Sequence, residues 1–418
     1  MQIPLQNNSP IELLAPCGSK ESFRAAIQAG CDSIYFGVEQ LNMRTRSSNN
    51  FTIEDLSDIA TTATKEGIKA YITLNTILYD HDMPLMRRIV NAAADSGIHG
   101  IIASDHAAMK YAKSKGVPVH ISTQANVTNI ETIDFYSDYA DVMVLSRELT
   151  LDQVKQIVKE IKRRDIRGPG GNLVKVEVFA HGALCMAVSG KCYLSLHSNF
   201  SSANRGACVQ NCRRSYIVKD KEEEIEFEID NEYIMSAKDL CTIDFLDKVI
   251  DSGISVLKIE GRGRSEEYVF TVTKCYKEAI DAIASGTYTQ EKIAKWKTQL
   301  ATVFNRGFWD GYYLGREIGE WNNQSGSRST KKKIFIGKGI KYYENVGVAE
   351  FKIESQTLRT GDEILVSGPT TGVIMENVQE LRVNGINCME VKKGETITMP
   401  LSSKIRPSDK LYKFMNVE

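Results

Sequence analysis

The stretch from Ile11 to Gly37, IELLAPCGSKESFRAAIQAGCDSIYFG, decides the fold class of this chain. It begins and ends with a short apolar run, and the segment between them has a helical pattern in which Phe23, Ala26 and Ile27 share one face. Gly30 marks the end of that helix, since glycine commonly follows the last helical turn. Two strands joined by a helix are expected to be parallel, because parallel strands need a crossover connection. The stretch therefore predicts a β-α-β unit.

The same alternation continues through residues 1–265. Six further apolar runs follow, mostly separated by helical segments that end in glycine: AYITLN, GIIASD, VPVHIS, DVMVLS, KVEVFA and SVLKIEG. Eight such units match a (β/α)8 barrel, whose usual length is about 250 residues. A doubly wound open sheet is the alternative, but no G-x-G-x-x-G motif follows the first strand. We therefore predict an α/β fold with a TIM-like barrel.

The remaining chain divides into three parts. Residues 266–321 are predicted to form a helical extension, with EEYVFTVTKCYKEAIDAIASG as its clearest segment. The stretch 322–333, NNQSGSRSTKKK, has the composition of a linker. Residues 334–418 contain short alternating runs broken by glycine and asparagine, such as KIFIGKGIKYY and GDEILVSG. This last pattern predicts a small C-terminal antiparallel β-barrel domain.

The composition is that of an ordinary globular protein, with 42% hydrophobic and 25% charged residues among 418. No apolar run reaches the roughly 18 residues that a membrane-spanning helix needs. The N-terminal residues lack the basic and apolar regions of a signal peptide. These features predict a cytoplasmic protein without a membrane partner. The net charge is −1, but residues 328–418 carry 15 Lys and Arg against 11 Asp and Glu, which modestly favours a polyanionic partner.

Polar side chains follow most of the predicted strands. In a TIM barrel the working residues lie just after the C-terminal ends of the strands, so these side chains are expected to meet at one rim. The candidates for catalysis are Gln124, His181 and Glu260. The candidates for substrate binding are Arg44, Arg46, Asn75, Arg147 and Arg262. Cys17, Gly37, Asp105, Ser122 and Glu148 stand at equivalent positions.

The loop after the seventh strand is long and rich in cysteine. Residues 183–235 separate that strand from a helix predicted at Ser236–Val249, and long loops in compact domains are usually functional or disordered. Five of the nine cysteines fall in this loop or at the start of that helix: Cys185, Cys192, Cys208, Cys212 and Cys241. Buried thiols acting as small apolar side chains are the alternative. Because cytosolic thiols stay reduced, the clustering predicts metal binding or catalysis.

Spacing alone leaves two metal sites open. Structural zinc sites favour close pairs of cysteines separated by two to four residues. Only Cys208 and Cys212 have that spacing, whereas six residues separate Cys185 from Cys192. Iron–sulfur clusters need four thiolates and occur with varied spacings. Both zinc and an iron–sulfur cluster therefore remain candidates.

The segment EVFAHGALCMAVSGKC, from Glu177 to Cys192, resembles the signature of the collagenase-like peptidase family U32. That signature is an acidic residue, an aromatic residue, His-Gly-Ala, a cysteine and Ser-Gly-x-Cys. Further similar segments are STQANVTN, SRELT, SANRGACVQNCRRSY, SAKDL and LKIEGRGRS. The resemblance extends over essentially the whole chain. One departure is LAPCG in place of the usual LAPAG in the first strand, which puts Cys17 at an unusual position.

Within this family the chain is most similar to the branch that hydroxylates the wobble uridine of tRNA to 5-hydroxyuridine. The resemblance implies a [4Fe–4S] cluster rather than zinc, prephenate as co-substrate and the anticodon loop of tRNA as partner. It implies Cys185, Cys192 and Cys208 as cluster ligands, with Cys241 or Cys212 as the fourth. Relatives that hydroxylate ribosomal RNA, and a collagenase-like protease, are the alternatives. A protease finds little support in the residues, since no H-E-x-x-H motif is present.

Two basic groups have predicted roles in this interpretation. The four arginines after strands two, six and eight could hold a dicarboxylate such as prephenate with their guanidinium groups, or form salt bridges to Glu148 and Glu260. Lysines at the linker and just beyond it could meet the phosphate backbone of tRNA, or simply solvate the linker. They are Lys331, Lys332, Lys333, Lys338 and Lys341.

Overall fold

The computed structural model describes residues 10–46, 49–216, 235–315, 320–323 and 326–417. The first part of the chain forms strands β1 (Glu12–Cys17), β2 (Ser33–Gly37), β3 (Lys69–Leu74), β4 (Gly100–Ala103), β5 (Val119–Ile121), β6 (Val142–Val144), β7 (Lys175–Ala183), β8 (Asp239–Cys241), β9 (Val256–Ile259) and β10 (Phe308–Trp309). All except β8 and β10 are parallel neighbours in chain order. The barrel closes because β9 pairs with both β7 and β1. The predicted TIM-like barrel, with its eight strands, is confirmed.

Helices cover the outside of the barrel, except for one short helix in the cysteine-bearing loop. They are α1 (Lys20–Gln28), α2 (Leu56–Lys65), α3 (Met83–Ser96), α4 (His106–Ser114), α5 (Ile130–Ser137), α6 (Leu151–Arg164), α7 (Leu194–Asn199), α8 (Leu246–Asp251), α9 (Glu266–Ala284) and α10 (Gln290–Ala301). In α6, Thr150 caps the first turn by accepting a hydrogen bond from the backbone N–H of Gln153. The buried face of α6 is Val154, Ile157, Val158 and Ile161, at helical spacing. Within the described ranges, no helix is both long and apolar enough to cross a bilayer.

The region after the cysteine-bearing loop differs from the prediction. A helix is expected at Ser236–Val249, but residues Asp239–Cys241 form β8, and α8 begins only at Leu246. Strand β8 pairs antiparallel with the last residues of β7 and parallel with β10. A strand of three residues is too short to show the alternation of apolar and polar residues that predicts a strand. Its pairing partners also come from distant parts of the chain. Residues 217–234 of the predicted loop lie outside the described residues.

The C-terminal part is antiparallel β structure, as predicted. Its strands are β11 (Lys331–Tyr343), β12 (Val348–Ile353), β13 (Leu358–Arg359), β14 (Glu363–Gly368), β15 (Gly372–Asn377), β16 (Leu381–Val383), β17 (Ile386–Cys388), β18 (Glu390–Val391), β19 (Thr396–Pro400) and β20 (Lys410–Asn416). Eight of these strands form one sheet in the order β15-β14-β20-β11-β12-β19-β16-β17, and β13 pairs with β18. No pairing between described strands joins β15 to β17, so the sheet has two edges where a closed barrel is predicted. Both sheets share one core, which includes Ile336, Phe351, Val366 and Leu411.

This C-terminal domain packs directly against the barrel helices. Leu365 and Val373 cover Ala25 on α1. The Gln28 side chain donates a hydrogen bond to the Thr371 carbonyl (2.9 Å) and accepts one from the Val373 N–H (2.9 Å). Apolar burial and these two hydrogen bonds together fix the domain on α1.

The predicted linker is shorter than expected, because β11 already begins at Lys331. Lys333 forms ion pairs with Glu266 (3.0 Å) and Glu267 (2.8 Å) in the first turn of α9. Lys331 pairs with Glu363 of β14. These two lysines therefore hold the C-terminal domain together and against the barrel, rather than solvating a linker.

Candidate active site

A cavity of about 250 Å³ opens at the C-terminal ends of the barrel strands. It lies where the working residues of TIM barrels are found. Seven cationic side chains line it: Arg44, Arg147, Arg213, Lys258, Arg262, Arg264 and Arg306. Among the described lining residues, Glu260 is the only acidic one. The cavity is therefore strongly positive and suited to anionic ligands.

Glu260 is the centre of a hydrogen-bond network at the inner end of the cavity. Arg44 Nη2 lies 2.5 Å from Glu260 Oε1, and the Tyr35 hydroxyl lies 3.2 Å from Oε2. Burial by itself would raise the pKa of Glu260, but Arg44, Arg147 and Arg262 outweigh it and hold that pKa at about 2. Glu260 is consequently a permanent carboxylate. This salt bridge fixes the position of the Arg44 guanidinium. A salt bridge to Glu260 is the second of the two roles predicted for the arginines.

Arg262 is buried behind Glu260. Its guanidinium donates hydrogen bonds to Thr73 Oγ1 (2.7 Å) and Asn42 Oδ1 (2.9 Å). Burial lowers the pKa of Arg262 to about 10. Gly37 makes room for this group, since a Cβ atom there would lie 2.4 Å from Arg262 Nη1. Arg262 thus joins the loop after β2 to strand β3 behind the cavity wall.

The opposite wall of the cavity carries neutral amides. Asn75 Nδ2 lies 3.2 Å from Ser122 Oγ and 3.3 Å from Gln124 Oε1, and Ser122 donates to the same oxygen of Gln124. Gly190 packs against Gln124 with φ +75°, where a Cβ atom would lie 3.1 Å from Gln124 Cγ. The cysteine-bearing loop therefore rests on Gln124, and the amides offer both donors and acceptors to a ligand.

The floor of the cavity holds two cations beside one aromatic ring. The Arg147 guanidinium lies 3.8 Å from the Phe179 ring centre, and Lys258 Nζ lies 5.6 Å from the same centre. Lys258 is paired with the fully buried Glu177 at 2.7 Å. Arg147 donates to the Ala183 carbonyl, while its buried Nε has no hydrogen-bond partner. Arg147 thus keeps an unused donor.

His181 does not face the cavity, although its position after strand seven predicts that it should. It is 1% exposed and is surrounded by the rings of Tyr268, Tyr276 and Phe308. Strand alternation would point His181 the same way as Phe179, but the register of β7 shifts between the two residues. Burial lowers the pKa of His181 to about 3, with a smaller contribution from Arg264. His181 is therefore a neutral packing residue.

The cysteines divide into two places. Cys185, Cys192, Cys208 and Cys212 line one wall of the cavity. Burial raises the pKa of Cys212, Arg213 opposes this, and the other three thiols raise the pKa further, as expected for close neighbours. Cys241 lies elsewhere: it is buried in β8, where Tyr276 contacts its sulfur at 3.9 Å and burial raises its pKa to about 11. The structure thus groups Cys212, and not Cys241, with the other three.

The four cavity cysteines do not meet at a point. Within the described ranges, no group of three or more His, Cys, Asp or Glu side chains could hold a single metal ion. A tetrahedral zinc ion requires such convergence. The ligands of a four-iron cluster each bind a different iron, so their sulfurs surround a volume. Four thiols lining one cavity are the donor set that such a cluster requires.

Several predicted residues lie away from the cavity. Arg46 is exposed and donates to Ser201 Oγ (3.2 Å), joining the loop after β2 to the cysteine-bearing loop. Cys17 is fully buried in the core, and burial raises its pKa well above the usual value. Asp105 caps α4 by accepting from the Ala107 N–H. A larger depression of about 490 Å³, between α6 and α8, contains none of the predicted site residues.

The chain is similar over most of its length to known proteins of one family. Residues 18–323 match the model of peptidase family U32. A protein of Porphyromonas gingivalis named collagenase is 58% identical over 98% of this chain and 99% of its own length. The chain belongs to peptidase family U32. A tRNA hydroxylation protein of Bacillus subtilis is 28% identical over 96% of this chain and 94% of its own length. A 23S rRNA 5-hydroxycytidine synthase of Escherichia coli is 30% identical over 95% of this chain and 58% of its own length.

The U32 signature segment now has a structural meaning. Its acidic residue, Glu177, anchors Lys258 under the cavity, its aromatic residue, Phe179, carries two cations, and its two cysteines line the wall. Sequence reasoning missed Glu177, Lys258 and Tyr35, which lie inside strands rather than after them. A charged side chain within an apolar strand, as in KVEVFA and SVLKIEG, is the signal that could have found the first two. Arg264 and Arg306 were also missed.

Proposed function

We propose that this U32 protein is an RNA-modifying enzyme that hydroxylates the wobble uridine of tRNA to 5-hydroxyuridine. The observation that carries the proposal is the single cavity in which four cysteines face a group of cations around Glu260. Relatives named for tRNA hydroxylation and for ribosomal-RNA modification align over nearly the whole chain. We propose RNA as the substrate because these relatives are named for RNA modification.

The proposed cofactor is a [4Fe–4S] cluster held by Cys185, Cys192, Cys208 and Cys212. Such a cluster supplies one-electron redox chemistry when bound. Cys185 is exposed and the other three are half-buried, so the wall of the cavity would bring the group close to a bound substrate. The proposed set leaves out Cys241, because that thiol is buried in β8 beside Tyr276.

Prephenate, the proposed co-substrate, is a dicarboxylate that needs two cationic contacts. Arg147 and Lys258 flank the same ring of Phe179, and Arg147 keeps a free buried donor. Lys258 uses one of its three N–H donors on Glu177, whereas the guanidinium groups of Arg44 and Arg262 are held by Glu260, Thr73 and Asn42. Of the four arginines predicted to hold the dicarboxylate, Arg147 is thus the one retained in the proposal, and Lys258 is added to it.

The amide wall is the proposed contact for the uracil base. Uracil presents alternating acceptors and a donor along one edge, and Asn75 with Gln124 offers both kinds of partner. A base must leave its stack to enter a cavity at a barrel mouth, which costs least in an unpaired loop. This favours an anticodon loop over a duplex. Glu260, a permanent carboxylate, would position Arg44 and the Tyr35 hydroxyl around the base.

A protease is the second candidate, because the Porphyromonas relative at 58% identity carries the name collagenase. A cysteine protease needs a thiol next to a histidine base. Cys17 is buried in the core, and His181 is enclosed by aromatic rings without contact to the cavity. Neither residue suits that role.

Nucleoside mass spectrometry of RNA from a strain that lacks the gene tests the proposal. We expect 5-hydroxyuridine and its derivatives to disappear from tRNA and to return with the wild-type gene. A Cys185→Ala gene should not restore them, whereas Cys388→Ala, in the C-terminal domain, should. Loss of a hydroxylated base from ribosomal RNA alone would point to the ribosomal alternative. Unchanged RNA together with collagen cleavage by the purified protein would establish the protease.

A further inference from the structure

A second pair of cations shares an aromatic ring at the outer side of the cavity. The Arg264 guanidinium lies 3.6 Å from the centre of the Phe304 ring, and that of Arg306 lies 5.1 Å from the same centre. Both arginines line the cavity, as does Arg213. This group is separate from the inner cations, which are arranged around Phe179.

The three arginines differ in how far their donors are used. Arg213 donates to Ser236 Oγ and to the carbonyls of Ala237 and Leu184, so it is fixed in the wall. Arg306 reaches Asp239 at 3.3 Å.

Arg264 makes no side-chain hydrogen bond or ion pair with any described residue. Its contacts are the rings of Phe304 and, more distantly, Tyr268. Stacking on a ring leaves the N–H edge of a guanidinium available. Arg264 therefore presents an unused, oriented donor fork to the cavity.

Arg264 lies at a place in the barrel where TIM-barrel proteins often bind phosphate. Arg264 lies in the loop that follows β9, the last strand of the barrel, and the adjacent Gly263 is exposed at the mouth. In TIM barrels the loops after the last two strands frequently bind phosphate. Three guanidinium groups against one carboxylate, Asp239, leave this corner with uncompensated positive charge.

We propose that Arg264, supported by Arg306 and Arg213, forms a phosphate subsite that holds a phosphodiester of the RNA strand beside the base in the cavity. The inference rests on the proposed function in taking RNA as the substrate. A phosphodiester matches the fork geometry of Arg264, because two N–H groups can reach two phosphate oxygens. Arg264 is partly exposed beside the exposed Gly263, which suits a backbone group. Lys258 is buried at the floor of the cavity, where a small dicarboxylate would bind. The subsite fixes the register of the strand and carries no sequence information.

Binding of full-length, iron-loaded protein to unmodified tRNA tests this subsite. Arg264→Gln should weaken binding about tenfold, the loss expected for a charge-assisted contact. It should also reduce the slope of log Kd against log salt by about 0.7, the value for one phosphate of a single strand. Arg264→Lys should keep the slope and lose part of the affinity. Arg163→Gln, on the outer face of α6 where Arg163 pairs with Glu160, is the matched control and should change neither quantity.

Iron content and the visible spectrum of each variant are measured on the same samples. Unchanged iron in Arg264→Gln, with weaker tRNA binding, supports the subsite. Altered iron or spectrum with unchanged tRNA binding would show that Arg264 serves the cysteines instead, and would overturn it. Unchanged tRNA binding, salt slope and iron content would overturn it as well. A variant that loses prephenate binding but keeps tRNA binding would also overturn it. If the wild-type protein binds no tRNA, the proposed function itself fails, which is a distinct result.

Discussion

Lys258 Nζ lies 2.7 Å from Glu177 Oε1 at the floor of the cavity, and neither residue is more than 5% exposed. The other oxygen of Glu177 has no hydrogen-bond partner and faces His120, whose Nδ1 lies 3.8 Å away. Burying an ion pair is costly unless both charges stay paired. The pair is therefore poor evidence for stability. It fixes Lys258 at the point where that residue lines the cavity.

Removing one member of this pair should be strongly destabilising. Lys258→Met leaves Glu177 as an unpaired buried carboxylate, so we expect a loss of about 3–5 kcal/mol in the free energy of unfolding. The double variant Glu177→Gln with Lys258→Met should recover most of that loss. The control is Lys155→Met: its pair with Asp251 has the same 2.7 Å separation but is largely exposed, so less than about 1 kcal/mol is expected. Urea denaturation measures all four proteins.

The same pair predicts a pH dependence. Burial would raise the pKa of Glu177, but Lys258 and then His120 outweigh it, and the folded-state pKa lies below the unfolded value. The stability due to this carboxylate is therefore complete above the unfolded pKa, about 4.3, and is lost as the pH falls through the folded pKa. Wild-type protein and Lys258→Met should converge in stability as the pH drops below about 4. Parallel curves over that range would contradict the assignment.

The cysteines give a direct test of the cluster. Alanine variants of Cys185, Cys192, Cys208 and Cys212, purified without oxygen, should each lose most of their iron. Cys241→Ala should keep its iron, because Cys241 is buried beside Tyr276. Iron and sulfide analysis with visible absorption measures the result, and Cys388→Ala is the control. Loss of iron from the Cys241 variant together with its retention by the Cys212 variant would reverse our ligand assignment.

Glu260 should be essential without shaping the pH profile of activity. Because its pKa is held at about 2, the carboxylate stays ionised from pH 5 to 8.5. Glu260→Gln removes the charged partner of Arg44 and should lower kcat for tRNA hydroxylation by about 100-fold, comparable to losing a positioned charged group. The shape of the profile should remain that of the wild type. An acid limb that is present in the wild type and absent from the variant would show that Glu260 titrates during turnover.

The site residues that the sequence could predict are those that follow the C-terminal ends of the strands. The rule that TIM barrels work at the C-terminal ends of their strands correctly places Asn75, Gln124, Arg147 and Glu260 on one cavity. It fails for His181 because a register shift in β7 turns that side chain away. Such a shift depends on pairing with β9, about 75 residues further along the chain, and leaves no local sequence signal.

Long-range pairing also explains the other errors. Cys241 belongs to a strand because β7 and β10 supply its partners. Lys333 belongs to the domain interface because Glu266 and Glu267 lie on a helix that precedes it by more than 60 residues. A short polar stretch such as NNQSGSRSTKKK has the composition of a linker whatever its distant partners are. Composition identifies the segment, while the ion pairs decide its role.

His181 should make stability depend on pH between about 3 and 6.5. The unfolded state takes up a proton near pH 6.5, whereas burial keeps the folded-state pKa at about 3. Stability is therefore full above pH 6.5 and falls by up to about 1.4 kcal/mol per pH unit below it. His181→Phe keeps a ring among Tyr268, Tyr276 and Phe308 and removes the titration, so its curve should be flatter. Identical slopes would show that His181 takes up its proton over the same pH range in the folded and unfolded states.

The C-terminal lysines differ in the partners that their side chains contact. Lys332 is exposed and makes no ion pair with a described residue, Lys338 is half-exposed and 3.7 Å from Glu354, and Lys341 stacks on Tyr343. Replacing these three by Gln in the full chain should weaken tRNA binding. The salt slope should fall by up to about 0.7 for each phosphate that a lysine no longer neutralises.

Lys333→Gln should behave differently, because its partners Glu266 and Glu267 lie within the protein. We expect it to loosen the C-terminal domain, seen as a lower Tm, with little change in the salt slope.

The matched control for the C-terminal triple variant replaces Lys155, Lys159 and Lys162, three exposed lysines on α6, by Gln. The control equals the C-terminal triple variant in charge change, so a general loss of positive charge would affect both alike. Equal salt slopes for the two triple variants would remove the C-terminal domain from RNA binding and leave the barrel mouth as the whole contact surface.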